Sequence, residues 1–495
     1  MHIRNITENG VGVIKKRLVY ICLLLLIIVS FAAWKLNKDD KNVESTNAEK
    51  VNKVEFIPKG ISPGNFSEYD IKLTMTPDGE FQLKSTVLIK NISKDNWENL
   101  IFYFIPNMFT KSVSPHLEHP SAVNFHRVSI NGEKVNFILE RDTLNIPLVK
   151  KLEPDQEIRV DFSYDFTLPE NGLRFTKNNG SYYLAQFYPM VATYRNHKWN
   201  KKEYRSKGET YHTAFSNFKV TYDVPNEYTL ASTSDNDKYP SESKGVFEVE
   251  NVKEIFITIL KEPMVIQKTE GNINIRVFGM EKNEELYKEI SEEASAALNY
   301  FQKKIGPYPF KQLDIVLDAM GMEYPGIVTA GSIYDSAPVS PNSLKHMIVH
   351  EIAHQWFYGV ISNDPYNDAW LDEGFADFST ALYYFDKLKQ DVPYESIYKQ
   401  IEYLEPLPIN LPLDKYESNL SSYIYGKSNV MLWKIFEKRG EKKEAEKFLK
   451  NYYHFYNFKE VNTKEFVRFT KYYFNLNDDS EFKDWLELDG STVHE

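Results

Sequence analysis

The apolar pattern of this chain changes its period once, and that change constrains the fold more than any other feature. From about Ser67 to Met280, apolar and polar residues alternate, as they do in half-buried strands. After about Asn283 the apolar residues recur at helical spacing. Ile71-Lys-Leu-Thr-Met75 and Phe81-Gln-Leu-Lys-Ser-Thr-Val87 flank Thr76-Pro-Asp-Gly79, a turn sequence. Asn131-Gly132 stands between Val128 and Val135 in the same hairpin grammar. Glu284–Lys304 then reads as a long amphipathic helix and Leu313–Leu317 as a strand, with further helices over Pro341–Gly359, Ala369–Lys389, Lys427–Lys438 and Lys442–Phe455. Ser340 before Pro341 suits an N-cap, and Asn462 with Glu465 suits a capping box. The boundary falls at roughly 265–282. The expectation is a multidomain α+β chain, with an antiparallel β-rich domain over 65–270 and a mainly helical domain with a small sheet over 271–490. A chain of 495 residues is also too long for one core.

The N-terminus reads as an address. His2, Arg4, Lys15, Lys16 and Arg17 precede an uncharged run, Leu18–Trp34, at the short end of what spans a bilayer. Residues 1–34 are expected to be a cytoplasmic tail with a signal anchor, or alternatively a cleaved signal peptide; 35–64 form a polar stalk. The basic flank places everything after Trp34 outside the cytoplasm. The expected location is therefore the cell membrane, single-pass, with a secreted form as the alternative. The 59 basic and 70 acidic residues leave a net charge of −11, which disfavours nucleic acid as a partner. Cys22 is the sole cysteine. A disulfide within the chain and a cysteine-rich metal site are both excluded, so a metal would be held by His, Asp or Glu.

His350-Glu-Ile-Ala-His354 lies in a stretch of helical character. On a helix, residues four apart share a face, so both imidazoles can reach one Zn²⁺, with Glu351 beside them to address water. Catalytic zinc wants a third protein ligand and one open position. Glu373, in Ala369-Trp-Leu-Asp-Glu-Gly-Phe-Ala-Asp377, supplies it, with Asp372 as the competing neighbour. Asp377, one turn on, can receive the second N–H of a ligating histidine. His346 could form a shifted pair with His350, but Met347 would then stand where the base is needed; His346 reads as a packed or solvated helix residue.

With Glu373 in Trp370-Leu-Asp-Glu-Gly-Phe375, this sequence resembles the gluzincin metallopeptidases, and more narrowly the aminopeptidase N family. Met320-Gly-Met-Glu-Tyr-Pro325 is similar to that family's G-x-M-E-N strand, and Tyr425-Gly-Lys427 to its Y-x-K-G segment. The resemblance covers roughly residues 65–490. It implies a saddle-shaped β domain followed by a thermolysin-like catalytic domain. It also implies one Zn²⁺ on His350, His354 and Glu373, Glu351 as general base, and Tyr425 as donor to the oxyanion. Gly321, Met322 and Glu323 would line the substrate site, with Glu323 pairing the free α-ammonium of a peptide. The implied activity is removal of N-terminal residues from peptides; the alternatives are a thermolysin-type endopeptidase and a non-catalytic peptide-binding relative. Met320, Tyr324 and Ser428 depart from the family pattern. Tyr188, in Gln186-Phe-Tyr-Pro189, stands where the family often has a second amine-binding side chain, which leaves Glu323 alone in that role. The chain ends soon after Trp485, so the cleft is expected to lack the long C-terminal helical wall of larger members.

Overall fold

Thr76-Pro-Asp-Gly79 closes the first hairpin. Gly79 N–H donates to Thr76 O at 3.0 Å, and Gly79 takes φ +81°, a conformation that favours glycine. The strands it joins, Asn65–Met75 and Phe81–Asn91, pair in register from Met75↔Phe81 to Asn65↔Asn91. The second hairpin turns at Asn131 (φ 49°) and Gly132 (φ 87°), the positive pair that a two-residue turn requires.

These hairpins belong to a seven-stranded sheet. Its order is Lys244–Val252, Ser216–Asp223, Asn65–Met75, Phe81–Asn91, Glu157–Phe166, Val123–Ile130 and Glu133–Lys134. One pair corrects the antiparallel expectation: Asn65–Met75 runs parallel to Ser216–Asp223. A parallel neighbour needs a long crossover, and here the chain completes one smaller four-stranded sheet and lays down two strands of another before it returns. The period-two pattern predicts strands, but it is blind to their relative direction.

The sheet of the second half starts at Met264–Glu270, antiparallel to Ile273–Gly279. Helix α1 (Glu284–Lys304) then carries the chain to Gln312–Leu317, parallel to Ile273–Gly279, and Ile327–Ala330 adds a further parallel strand. Helix α2 (Pro341–Ala353) packs on that last strand, and α3 (Trp370–Lys387) packs on α2. Ser340 caps α2 by accepting from Ser343 N–H. At Asn462 only half of the capping box forms. Asn462 Oδ1 accepts from Glu465 N–H at 3.0 Å, while the Glu465 carboxylate is taken by Lys59 N–H, Tyr456 and Arg468.

The β-rich and helical halves are joined by buried charge. Arg195 reaches both Glu460 oxygens, at 2.7 and 3.0 Å, and Asn200 donates to Asp364 at 2.9 Å. Losing one partner of such a pair strands a buried charge, which makes the junction specific to one docking geometry.

This computed structural model describes residues 55–205, 208–317, 320–331, 339–416 and 419–488. The chain divides into Met1–Ile57 and Pro58–Glu495, and every feature above lies in the second unit. No described helix is long and apolar enough to cross a membrane. The anticipated span Leu18–Trp34 and residues 35–54 of the stalk lie outside the described residues.

Candidate active site

Helix α2 presents His350 and His354 one turn apart, and α3 brings Glu373 against them. His350 Nε2 and His354 Nε2 are 3.0 Å apart. Glu373 Oε2 lies 3.0 Å from His354 Nε2 and 3.3 Å from His350 Nε2. Bonds of ≈ 2.0–2.1 Å arranged tetrahedrally put ligand atoms ~3.3 Å apart, so these three atoms suit one zinc ion. Both imidazoles are oriented for it. His350 Nδ1 is 2.8 Å from Asp377 Oδ1, and His354 Nδ1 is 3.0 Å from Phe357 O. Each Nδ1–H is thus engaged, leaving each Nε2 lone pair facing Glu373. Burial works against the Glu373 charge, but the two imidazoles hold its carboxyl well below the ordinary range.

Among the described residues, His350, His354 and Glu373 are the one set able to hold a metal. Asp372 turns aside and accepts from Glu373 N–H at 2.8 Å; burial, then the Glu373 charge, push it up to about 7. His346 lies outside the triad and stacks on Tyr384, with 5.4 Å between ring centroids.

Glu351 is buried beside the triad. Desolvation pushes its carboxyl up to about 7; His350 and His354 oppose that rise, and Glu373 adds to it. A Cβ on Gly321 would stand 2.8 Å from Glu351 Oε1. Glycine there lets the carboxylate lie against the neighbouring backbone.

Met322 bridges to Thr329, which makes Gly321–Glu323 a short edge along the cavity. Gln355, directly after His354, ties that edge to the metal helix. Its Nε2 donates to Glu323 O and Tyr324 O at 3.2 and 3.1 Å, and its Oε1 accepts from Gly326 N–H. Tyr324, the departure from the family asparagine, is buried and stacks on Phe256 at 4.2 Å.

Tyr425 sits in a π-helical turn, Ser422–Lys427, a distortion common at functional sites. Its hydroxyl donates to Glu373 Oε1. Ser428 replaces the family glycine without a clash because Gly374 lies opposite: a Cβ there would be 2.5 Å from Ser428 Oγ. Ser428 Oγ donates instead to the carbonyls of Ile424 and Tyr425, which holds the turn.

These groups line a cavity of about 630 Å³ that also contains Arg174 and Glu209. Neither was singled out in the sequence. Arg174 Nη1 is 3.1 Å from Glu209 Oε1, but off the hydrogen-bonding line, so both Glu209 oxygens are buried without a hydrogen bond. Burial and then the Glu323 charge raise the Glu209 carboxyl well above its ordinary range. Glu323 is likewise raised by burial and by Glu351 and Glu373. Tyr188 does not enter this cavity. Its hydroxyl accepts from Ile255 N–H and its ring packs on Tyr69 and Phe218 in the β core. Glu209 therefore shares the electrostatic environment expected for Glu323 alone.

A helical H-E-x-x-H pair completed by a glutamate from the next helix defines a gluzincin-type zinc centre. Residues 290–485 match the peptidase family M1 domain. It is 25% identical over 286 residues to Aminopeptidase 2 of Candida albicans, covering 50% of this chain and 31% of that protein. It is 30% identical over 149 residues to Aminopeptidase N of Canis lupus familiaris, covering 27% and 14%. The chain thus spans about a third or less of those curated relatives. The fold extends further: an M1 zinc metallopeptidase from Deinococcus radiodurans superposes with a TM-score of 0.61 at 14% identity, covering 87% of this chain and 95% of that one. A mutant of that protein has been crystallised with a Tyr-Ser-Ala substrate, at a TM-score of 0.60 and 16% identity, over 86% of this chain and 94% of that one.

Proposed function

We propose that this chain is a zinc aminopeptidase that hydrolyses the first peptide bond of peptides bearing a free N-terminus. The observation that carries the reading is the sharing of one cavity by the triad, Glu351 and two further buried carboxylates, Glu323 and Glu209. Two like charges in a desolvated pocket raise each other's pKa. A substrate α-ammonium with three N–H donors relieves that repulsion and fixes the first peptide bond over His350, His354 and Glu373. The names of the aminopeptidase relatives support the same assignment.

Zinc, when bound, polarises the scissile carbonyl and strengthens water as a nucleophile. Glu351 takes the proton of the attacking water on a carboxylate oxygen and returns it to the leaving nitrogen. The Tyr425 hydroxyl, turned from Glu373 toward the substrate, donates to the developing oxyanion. Asp377 and the Phe357 carbonyl keep the imidazole tautomers fixed throughout.

A panel of aminoacyl fluorophores tests the reading. The purified protein should release fluorophore, lose that activity in chelator, and regain it with Zn²⁺ at about one equivalent. Cleavage confined to internal bonds of N-blocked peptides would instead make it an endopeptidase.

We also propose that the catalytic unit lies outside the cytoplasmic membrane, held by Leu18–Trp34. Lys15-Lys16-Arg17 before that apolar run support the orientation. Protease added to intact cells should digest residues 58–495, and protection until lysis would refute it. N-terminal sequencing of the mature protein distinguishes an anchor from a cleaved signal.

A further inference from the structure

A second recess, of about 560 Å³, lies on the polar face of the seven-stranded sheet and shares no lining residue with the catalytic cavity. Its floor follows from strand register. Lys72 directly opposes Lys84, Lys84 opposes Ser163, and Ser163 opposes Arg127, so one row crosses four strands. One pleat along, Asp70, Thr86, Asp161 and Ser129 form the next row. Four cations therefore line the recess, Arg159 being the fourth, against two carboxylates.

One of the two carboxylates is already taken within the recess. Asp161 is occupied: Arg159 Nε and Nη2 donate to its Oδ1 at 2.9 and 2.8 Å, and Thr86 donates at 2.7 Å. Lys72, Lys84 and Arg127 have no ion-pair partner among the described residues. Lys72 and Lys84, both exposed, are like charges in directly opposed positions, an arrangement that destabilises a strand pair unless an anion lies between them.

We propose that this recess binds a soluble phosphodiester chain. The row from Lys72 to Arg127 spans three interstrand steps, ~14 Å at 4.7–4.9 Å each, which accommodates more than one phosphate. The lysine ammonium groups meet the phosphates as point charges, and the half-buried hydroxyl of Ser163 lies in the same row. A bilayer is the poorer occupant, because none of the exposed large hydrophobics lines the recess to insert into lipid. Nucleobases gain nothing either: the lining aromatic, Phe162, is 2% exposed and offers no stacking surface.

The test uses the full-length protein and a fluorescently labelled six-unit abasic phosphodiester chain, followed by anisotropy at low ionic strength. Saturable binding is expected, and it should weaken at least tenfold in Lys72→Gln/Lys84→Gln and several-fold in Arg127→Gln. The slope of log K against log salt should flatten by about 1.4 in the double variant, at ~0.7 for each phosphate that is no longer neutralised. Lys282→Gln/Lys303→Gln removes the same charge elsewhere and should bind as wild type does. The melting temperature of Lys72→Gln/Lys84→Gln without the probe should be unchanged or higher, which shows that the fold is intact. Absent binding, equal weakening in both double variants, or capture of anionic vesicles without binding of the soluble chain would each overturn the proposal.

Discussion

Glu351→Gln should keep its zinc and lose turnover by roughly 10²–10⁴-fold, the range that one positioned general base contributes. The substitution preserves size, and nothing in the local packing opposes it: the amide meets the same Gly321 backbone and stays beside the same imidazoles. Metal retention is expected because Glu351 is not one of the three converging ligand atoms. What is lost is an acceptor that can carry a proton from water to the leaving nitrogen. The check pairs zinc content by atomic absorption with kcat on an aminoacyl fluorophore. Loss of zinc along with activity would place Glu351 in the metal set, and turnover within tenfold of wild type would assign the base elsewhere. His354→Ala should behave differently, losing metal and activity together.

The contrast between those two variants reflects which parts of the site could be read in advance. The triad was legible because its constraint is local. Two histidines four apart share a helix face, and one further helix carries Glu373. Asp377 was legible for the same reason, lying one turn beyond Glu373 and reaching His350 Nδ1 at 2.8 Å. Helix extents followed the apolar period closely. Glu284–Lys304 has the expected ends, whereas the last turns of the expected Pro341–Gly359 helix unwind after Ala353. Glu209 was not legible. It lies in a segment of the β-rich half with no period of its own, and only tertiary packing carries it to the cavity. Gln355 was overlooked for another reason. Its position directly after His354 was plain, but its bonds to Glu323 O, Tyr324 O and Gly326 N–H depend on where the edge 321–326 docks. The parallel placement of Asn65–Met75 beside Ser216–Asp223 escaped because alternation reports exposure, not direction.

Glu323→Gln should lower kcat/KM on free-amine peptides by about 10²-fold, or ~2.7 kcal/mol. Desolvation is the origin of the effect. Glu323 and Glu209 are 6% and 7% exposed; burial and then Glu351 and Glu373 raise the Glu323 carboxyl, while burial and then Glu323 raise that of Glu209. An ammonium entering between them gains charge-assisted hydrogen bonds, roughly twice as strong as neutral ones, and removes the repulsion. Part of that binding positions the first peptide bond, so kcat should fall as well as KM rise. Arg174, 3.1 Å from Glu209, already offsets part of one charge, so Glu209→Gln should cost less than Glu323→Gln. Acetylating the substrate N-terminus removes the ammonium and should penalise wild type far more than Glu323→Gln, because the variant has already lost most of what the acetyl group destroys. The measurement is kcat and KM for both enzymes on one peptide in free and acetylated forms. A penalty for acetylation that is equal in the two enzymes would show that Glu323 does not read the amine, and efficient wild-type cleavage of the acetylated peptide at internal bonds would replace the exopeptidase reading with an endopeptidase one.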